Sequence, residues 1–372
     1  MTDVRPVEDR ADLRRFIDYP YKKYRADPQW VPPLRMSEWD TFNPEKNPFY
    51  EHARVDLFLA ERDAEVVGRV AVIDDDLHNK THHDNLLFFG FFEARDAEAA
   101  QALFAAVEKR AGKLGRGRVR GPASPSLNDS AGFQLDAYDT TPYLMMPQNP
   151  PSYPEWTEAA GYEKIMDLYA WRLHQREGIS ERVLRLAERV ERRLDFTIRP
   201  LDMRRYSEEV DLVLTFYNDH WEDHWGQIQY TEAEARKLAA DLKQIIDPEM
   251  VLFLEIAGEI EGVAVGFPDA NQVFHKIPDG KLFPWGIIHF LNKRRIIDRI
   301  RMPILGVTPE YRNKGLELAL IKAFAERGIE RGYVEAECSW ILEDNEAINK
   351  GIRAAGGELY KTYRLYQKEL AP

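Results

Sequence analysis

The chain has 372 residues and a mass of 43.3 kDa, the size of two ordinary domains. Lys and Arg number 51 against 63 Asp and Glu, a net charge of −12, and 44% of residues are hydrophobic. This balance excludes a disordered chain, a disulfide scaffold (Cys338 is the single cysteine) and a general nucleic-acid binder, whose affinity rests on neutralising phosphates. No stretch approaches the roughly 18 uninterrupted apolar residues of a membrane span. Residues 1–6 lack the basic and apolar regions of a signal peptide. A cytoplasmic protein is expected, with at most peripheral contact at the inner face of a membrane.

In chain order, Val4-Arg5-Pro6 opens a short strand, and a helix follows. Leu57-Phe58-Leu59 and Val67–Val72 form a hairpin across Arg62-Asp63-Ala64-Glu65. His78, His82, His83 and Asp84 lie in a polar segment that reads as a solvated loop. A third strand over 86–92 runs into a helix over 97–113, where Ala99, Leu103, Ala106 and Val107 share a face. A further strand, a Pro-rich loop near 137–155, a short helix and a last strand complete an N-terminal module, 1–176. Val183, Ala187, Val190 and Leu194 form one apolar stripe, so 177–197 reads as a packed connecting helix.

The second module, 198–372, repeats the first. Ile198-Arg199-Pro200 matches Val4-Arg5-Pro6, and Leu252-Phe253-Leu254 with Gly262–Val265 repeats the hairpin across Ala257-Gly258-Glu259. Leu305-Gly306 follows Phe89-Gly90 at an offset of 216. The strand over 302–307 leads to a helix beginning near Lys314, with Leu316, Leu320, Ala323 and Phe324 on one face. Thr231-Glu232-Ala233-Glu234 is a capping box that opens another helix.

Between strand and helix lies Val307-Thr308-Pro309-Glu310-Tyr311-Arg312-Asn313-Lys314-Gly315-Leu316. A helix N-terminus presents free N–H groups and partial positive charge, which suits a phosphate. Arg312 and Lys314 add charge, and Gly315 allows close backbone approach. At the offset of 216, Arg312 aligns with Asp96 and Gly315 with Ala99, inside the acidic turn Glu93-Ala94-Arg95-Asp96-Ala97-Glu98. Carboxylates there repel a pyrophosphate.

This turn resembles the pyrophosphate loop of the GNAT N-acyltransferases, Gln/Arg-x-x-Gly-x-Gly/Ala after a strand ending in Val-x-Pro. Arg312 and Gly315 match, while Glu317 stands where the family prefers a small residue. Asn345 and Gly356 resemble the helix that flanks the cofactor thiol, where Ile352 replaces a frequent tyrosine acid. The resemblance implies a mixed α/β fold of two tandem GNAT-like modules, each a central sheet flanked by helices. It implies acyl-CoA as co-substrate, held by Val307, Arg312, Asn313, Lys314, Gly315, Leu316 and Asn345, with the Val307 N–H polarising the thioester carbonyl. The first module is expected to lack the cofactor. The whole chain is similar to a bacterial family that includes the ceramide synthases, through Asn47-Pro48-Phe49, Gly121-Pro122 with Ser126 and Asn128, Asp167–Ala170, Trp225-Gly226 and Pro268-Asp269 with Asn271. This implies acylation of a primary amine, a sphingoid base first among them. Acetylation of a small soluble amine, or a cofactor-free interaction module, are the alternatives.

Amine acylation needs a base, since an ammonium cannot attack a thioester. His224 beside Asp223 supplies one type, and Glu337, with Glu335 on the same strand face, another. Trp221 and Trp225 suit the wall of an apolar acceptor pocket, and the chemistry requires no metal. In the insertion near 273–300, Trp285 and other apolar residues precede Lys293-Arg294-Arg295, and 281–301 carries six basic residues against one acid. Such a segment suits an anionic membrane surface or a lid over a lipid chain.

Overall fold

The computed structural model describes residues 1–174, 180–220, 225–312 and 314–370. The first half runs β1 (Asp3–Pro6), α1 (Arg10–Lys23), α2 (Arg35–Thr41), β2 (Ala53–Arg62), β3 (Glu65–Asp75), α3 (Asp76–Thr81), β4 (Leu86–Ala94), α4 (Ala97–Lys113), β5 (Arg118–Gly121), β6 (Phe133–Gln134), α5 (Ser152–Ala159) and β7 (Glu163–His174). The second runs α6 (Glu181–Glu191), β8 (Thr197–Pro200), α7 (Tyr206–His220), α8 (Glu232–Leu242), β9 (Val251–Ile256), β10 (Glu259–Pro268), α9 (Asn271–Phe274), α10 (Ile287–Leu291), α11 (Lys293–Ile296), β11 (Arg299–Val307), α12 (Leu316–Arg331), β12 (Glu335–Leu342), α13 (Glu346–Ala354) and β13 (Glu358–Glu369).

Local chemistry accounts for these elements. In both hairpins the two turn residues have positive φ: Asp63 (52°) and Ala64 (64°), then Ala257 (52°) and Gly258 (90°). That is the handedness a two-residue hairpin needs. The β3 run from Val67 to Ile73 is buried on both faces, as a central strand requires. The Thr231 capping box forms as expected, and Ser180 caps α6. Val183 and Ala187 of α6 are buried, and Val190 packs with Leu194 against the cluster beneath α12.

All the strands share one sheet, ordered β1-β2-β3-β4-β5-β13-β7-β12-β11-β10-β9-β8, with β6 pairing the side of β13. Strands β1–β5 and β8–β12 are the two copies of the repeat. The last strand of each half is exchanged. β13 pairs antiparallel with β5 from Tyr366↔Gly121 to Glu369↔Arg118, and β7 pairs antiparallel with β12 from Glu335↔His174 onward. β7 and β13 also pair with each other at the centre. Helix α4 covers Val70, Phe89 and Tyr366, and α12 covers Leu252, Ala264 and Ile300. Opposite α12, the cluster of Phe216, Leu242, Phe253 and Val263 takes in Leu144 and Met145 from the Pro-rich loop of the first half.

Four expectations need correction. Helix α12 begins at Leu316, and the structural counterpart of Gly315 is Asp96, because these two are the N-caps of α12 and α4. The second turn is therefore longer than a single offset of 216 allows. Glu93 does not belong to an acidic rim: it is buried against Lys23, Tyr24 and Tyr153. Nor is the histidine segment a solvated loop. His78 is buried on α3 against Phe88, and burial pushes its pKa down to about 4.

Candidate active site

Parallel strands that diverge leave peptide groups to satisfy. Strand β4 pairs with β5 only from Leu86↔Arg118 to Phe88↔Arg120, and β11 with β12 only from Arg299↔Glu335 to Met302↔Cys338. Each half therefore has a gap. In the first half the chain itself fills it. The Ala123 N–H donates to the Phe89 carbonyl (2.9 Å), and Ser124 Oγ accepts from the Phe91 N–H (2.8 Å). A Cβ on Gly90 would lie 1.7 Å from the Ala123 carbonyl oxygen, so glycine permits the plug. In the second half no hydrogen bond joins 303–307 to 339–342 among the described residues. The Thr308 N–H donates to the Glu261 carbonyl (3.0 Å) across the edge facing β10. By antiparallel alternation the N–H groups of Leu305 and Val307 point the other way, into the gap.

The helix ends beside the two gaps differ in the same sense. Asp96 accepts from the Ala99 N–H (3.0 Å) and pairs with Arg62 (2.9 Å), so carboxylate already occupies that terminus. Gly315 has φ +88° and supplies no side chain to cap α12. Arg312 and Lys314 are exposed and pair with no carboxylate among the described residues; Lys314 lies 4.2 Å from the centre of the Tyr311 ring. Leu316 is buried beneath α12, and Asn345 caps α13 by accepting from the Ile348 N–H (3.3 Å). Asn313 lies outside the described residues, as do Trp221, Asp223 and His224.

Glu337 sits at the closed end of the second gap, with no exposed surface. It accepts from Ser339 Oγ (2.6 Å) and Tyr360 OH and faces the buried Arg301 guanidinium at 3.9 Å. Burial raises its pKa despite these partners. Arg301 donates to Ser339 Oγ (3.0 Å) and to the Leu144 carbonyl (3.2 Å), which ties the Pro-rich loop to the gap. Glu335 takes the Tyr143 hydroxyl and lies 3.1 Å from His174. Cys338 is buried, and burial pushes its thiol up to about 12.

Trp225 packs with Leu127, Trp340 and Leu342 onto the central strands, under the Arg120 guanidinium (5.2 Å). The first half thus shares in this wall, a contribution the repeat did not reveal. Asn128 Nδ2 donates to the Ile228 carbonyl (2.7 Å), and Tyr230 OH donates to the Asn128 carbonyl (3.1 Å). His52 joins Asp75 (3.0 Å) of the first half to Glu234 (3.2 Å) of the second. Trp285 lies elsewhere: it is 76% exposed, beside exposed Phe283, Ile288 and Leu291.

Two GNAT-type gaps in one sheet, one plugged and one open, define a tandem GNAT architecture. A tandem GNAT protein from the clavulanic acid biosynthesis pathway superposes with a TM-score of 0.58 over 100% of this chain and 99% of its own, at 12% identity. A GNAT-type glucosamine N-acetyltransferase region of a fungal multi-domain β-N-acetylglucosaminidase gives 0.57, covering 99% of this chain and 38% of that one. No family model matches the chain. Its sequence is 37% identical to the bacterial ceramide synthase of Caulobacter vibrioides, over 99% of this chain and 97% of the relative. It is 31% identical to protein YghO of Escherichia coli, covering 99% and 95%. The chain belongs to the bacterial ceramide synthase family.

Proposed function

We propose that the chain moves a fatty acyl group from acyl-CoA to the amine of a sphingoid base, as the name of its Caulobacter relative implies. The carrying observation is the asymmetry of the two gaps and their helix termini. Acyl-CoA enters the second half, its pyrophosphate at Arg312, Asn313, Lys314 and Gly315, with Leu316 and Asn345 flanking. Its pantetheine arm lies along β11. The N–H groups that face the gap, Val307 among them, steady the oxyanion formed when the amine attacks. His224, oriented by Asp223, accepts the amine proton. Glu337 is the alternative base: burial raises its pKa, and Ser339 links it to the gap. Trp221 and Trp225 wall the acceptor's chain.

Exposed Phe283, Trp285, Ile288 and Leu291 lead into Lys293, Arg294 and Arg295, a pattern that suits an anionic membrane surface, where a long-chain amine resides. No helix among the described residues is long and apolar enough to cross a membrane. The test supplies purified protein with long-chain acyl-CoA and a sphingoid base, in parallel with acetyl-CoA and polyamines or amino acids. Ceramide-type product from the first pair is expected. Turnover of the soluble amines alone would replace this reading with a small-molecule acetyltransferase.

A further inference from the structure

The loop that plugs the first gap at Ala123 and Ser124 runs on to a tip and returns where Ala131 bridges Ala123. The tip is braced from within. The Ser124 N–H donates to the Ser130 carbonyl (2.8 Å), Ser126 Oγ donates to Asp129 (2.6 Å), and the Asn128 N–H donates to Ser126 Oγ (3.1 Å). This tip meets residues 225–230 of the second half, a stretch with no helix or strand of its own. Carbonyls in such a stretch must find donors outside it. The Ile228 carbonyl takes Asn128 Nδ2 (2.7 Å), and the Gln227 carbonyl lies 2.7 Å from His82 Nε2, also of the first half. The Tyr230 hydroxyl donates back to the Asn128 carbonyl (3.1 Å). Gly226, at φ +70°, passes so close to Leu127 that a Cβ there would lie 2.8 Å from its Cδ1. Trp225 packs with Leu127 and lies under Arg120 (5.2 Å). Asn218 of the second half holds the far end of the stretch, at Gln229 and Tyr230.

We propose that the plugged half shapes the acceptor pocket of the other half, with Asn128 and His82 as positioning residues that hold 225–230, and so Trp225, in place. The inference rests on the reading of Trp225 as a wall of that pocket. One loop then has two tasks: its base fills the first gap, and its tip carries Leu127 and Asn128 to the second half. Displacing the wall costs fit to the amine. It leaves acyl-CoA alone, because that site is built from β11 and the start of α12.

The experiment measures steady-state kinetics with long-chain acyl-CoA and sphinganine, or with the soluble amine if that alone turns over, and titrates acyl-CoA calorimetrically. Asn128→Asp removes the donor to Ile228 at nearly constant size. His82→Phe removes the donor to Gln227 and keeps a ring beside His78, whose ring centre lies 4.6 Å away. The two are measured separately, so that a folding defect in one leaves the other. Each should raise the KM of the amine about tenfold or more with acyl-CoA affinity unchanged. His82→Gln, which keeps a donor, should stay near wild type. Trp225→Ala tests the pocket itself and should raise the amine KM at least as far. A raised KM in Trp225→Ala, with Asn128→Asp and His82→Phe at wild-type values, overturns the inference and leaves the acceptor reading standing. An amine KM unmoved in all three overturns both. A parallel loss of acyl-CoA affinity in Asn128→Asp and His82→Phe overturns the inference too, since general support of the fold would then account for the contacts.

Discussion

Asp96 and Gly315 hold the same place in the two halves, and a single side chain separates an occupied helix terminus from a vacant one. Gly315→Glu should abolish acyl-CoA binding. Its φ of +88° strains any side chain, a Cβ there would lie 2.9 Å from Val190, and the carboxylate would repel pyrophosphate. The reciprocal change, Asp96→Gly, should create no second site, because Ala123 and Ser124 still plug the first gap; titration should give one acyl-CoA per chain for both the wild type and this variant. For the base, His224→Ala should lower kcat by about 100-fold with acyl-CoA affinity nearly unchanged. Steady-state kinetics beside calorimetry read this directly, and wild-type turnover would transfer the role to Glu337.

Between elements, His52 fastens β3 to α8 through Asp75 and Glu234. Burial opposes its charge, but the hydrogen bonds to both carboxylates outweigh that and raise its pKa to about 10. The link is therefore fully present below the free imidazole value near 6.5 and is lost as pH rises through about 10. His52→Gln should cost about 2 kcal/mol at pH 6. The melting-temperature gap to wild type should narrow between pH 7 and 10; a constant gap would mean the ring serves only as packing. The hairpins, the apolar faces of α4 and α12 and the Thr231 cap were legible in the sequence because each rests on neighbours a few residues apart. The histidine segment misled because His78 is buried by Phe88, which no local pattern shows. The plug at Ala123 was invisible for a related reason: it depends on what lies against Gly90 in space. So did the exchange of final strands, since 163–174 and 358–369 alternate alike and either suits the edge of β5 or β12.

At the scale of the whole molecule, a net charge of −12 makes general attraction to anionic lipid unfavourable, so any membrane contact must be local. Reversing Lys293, Arg294 and Arg295 to Glu should release the protein from anionic vesicles. It should slow turnover of a lipid amine more than of a short soluble one, since each cation near such a surface contributes on the order of 1 kcal/mol. High salt should reproduce the release, because exposed charges are screened over roughly 8 Å at physiological ionic strength. Sedimentation across a salt series checks both, and binding indifferent to salt and to the reversal would place the contact elsewhere.

The exchanged strands also bear on how the molecule comes into being. β13 leaves the ribosome after every other strand of this sheet, yet it occupies the sixth position, between β5 and β7. Until its 12 residues emerge, β5 lacks a neighbour on that side and the N-terminal half cannot close on its own. Until then the nascent chain carries an open strand edge at β5, the state most prone to pair with other chains. Closure requires contacts spanning about 250 residues, as in Arg118↔Glu369, and long-range pairing of this kind is slow. Ribosomes stalled just before β13 should hold chains in which the first half, with β5 unpaired on that side, is more protease-sensitive than the second, where β7 already pairs with β12, and the yield of folded protein should depend on chaperones more than that of two independently closing modules of the same size.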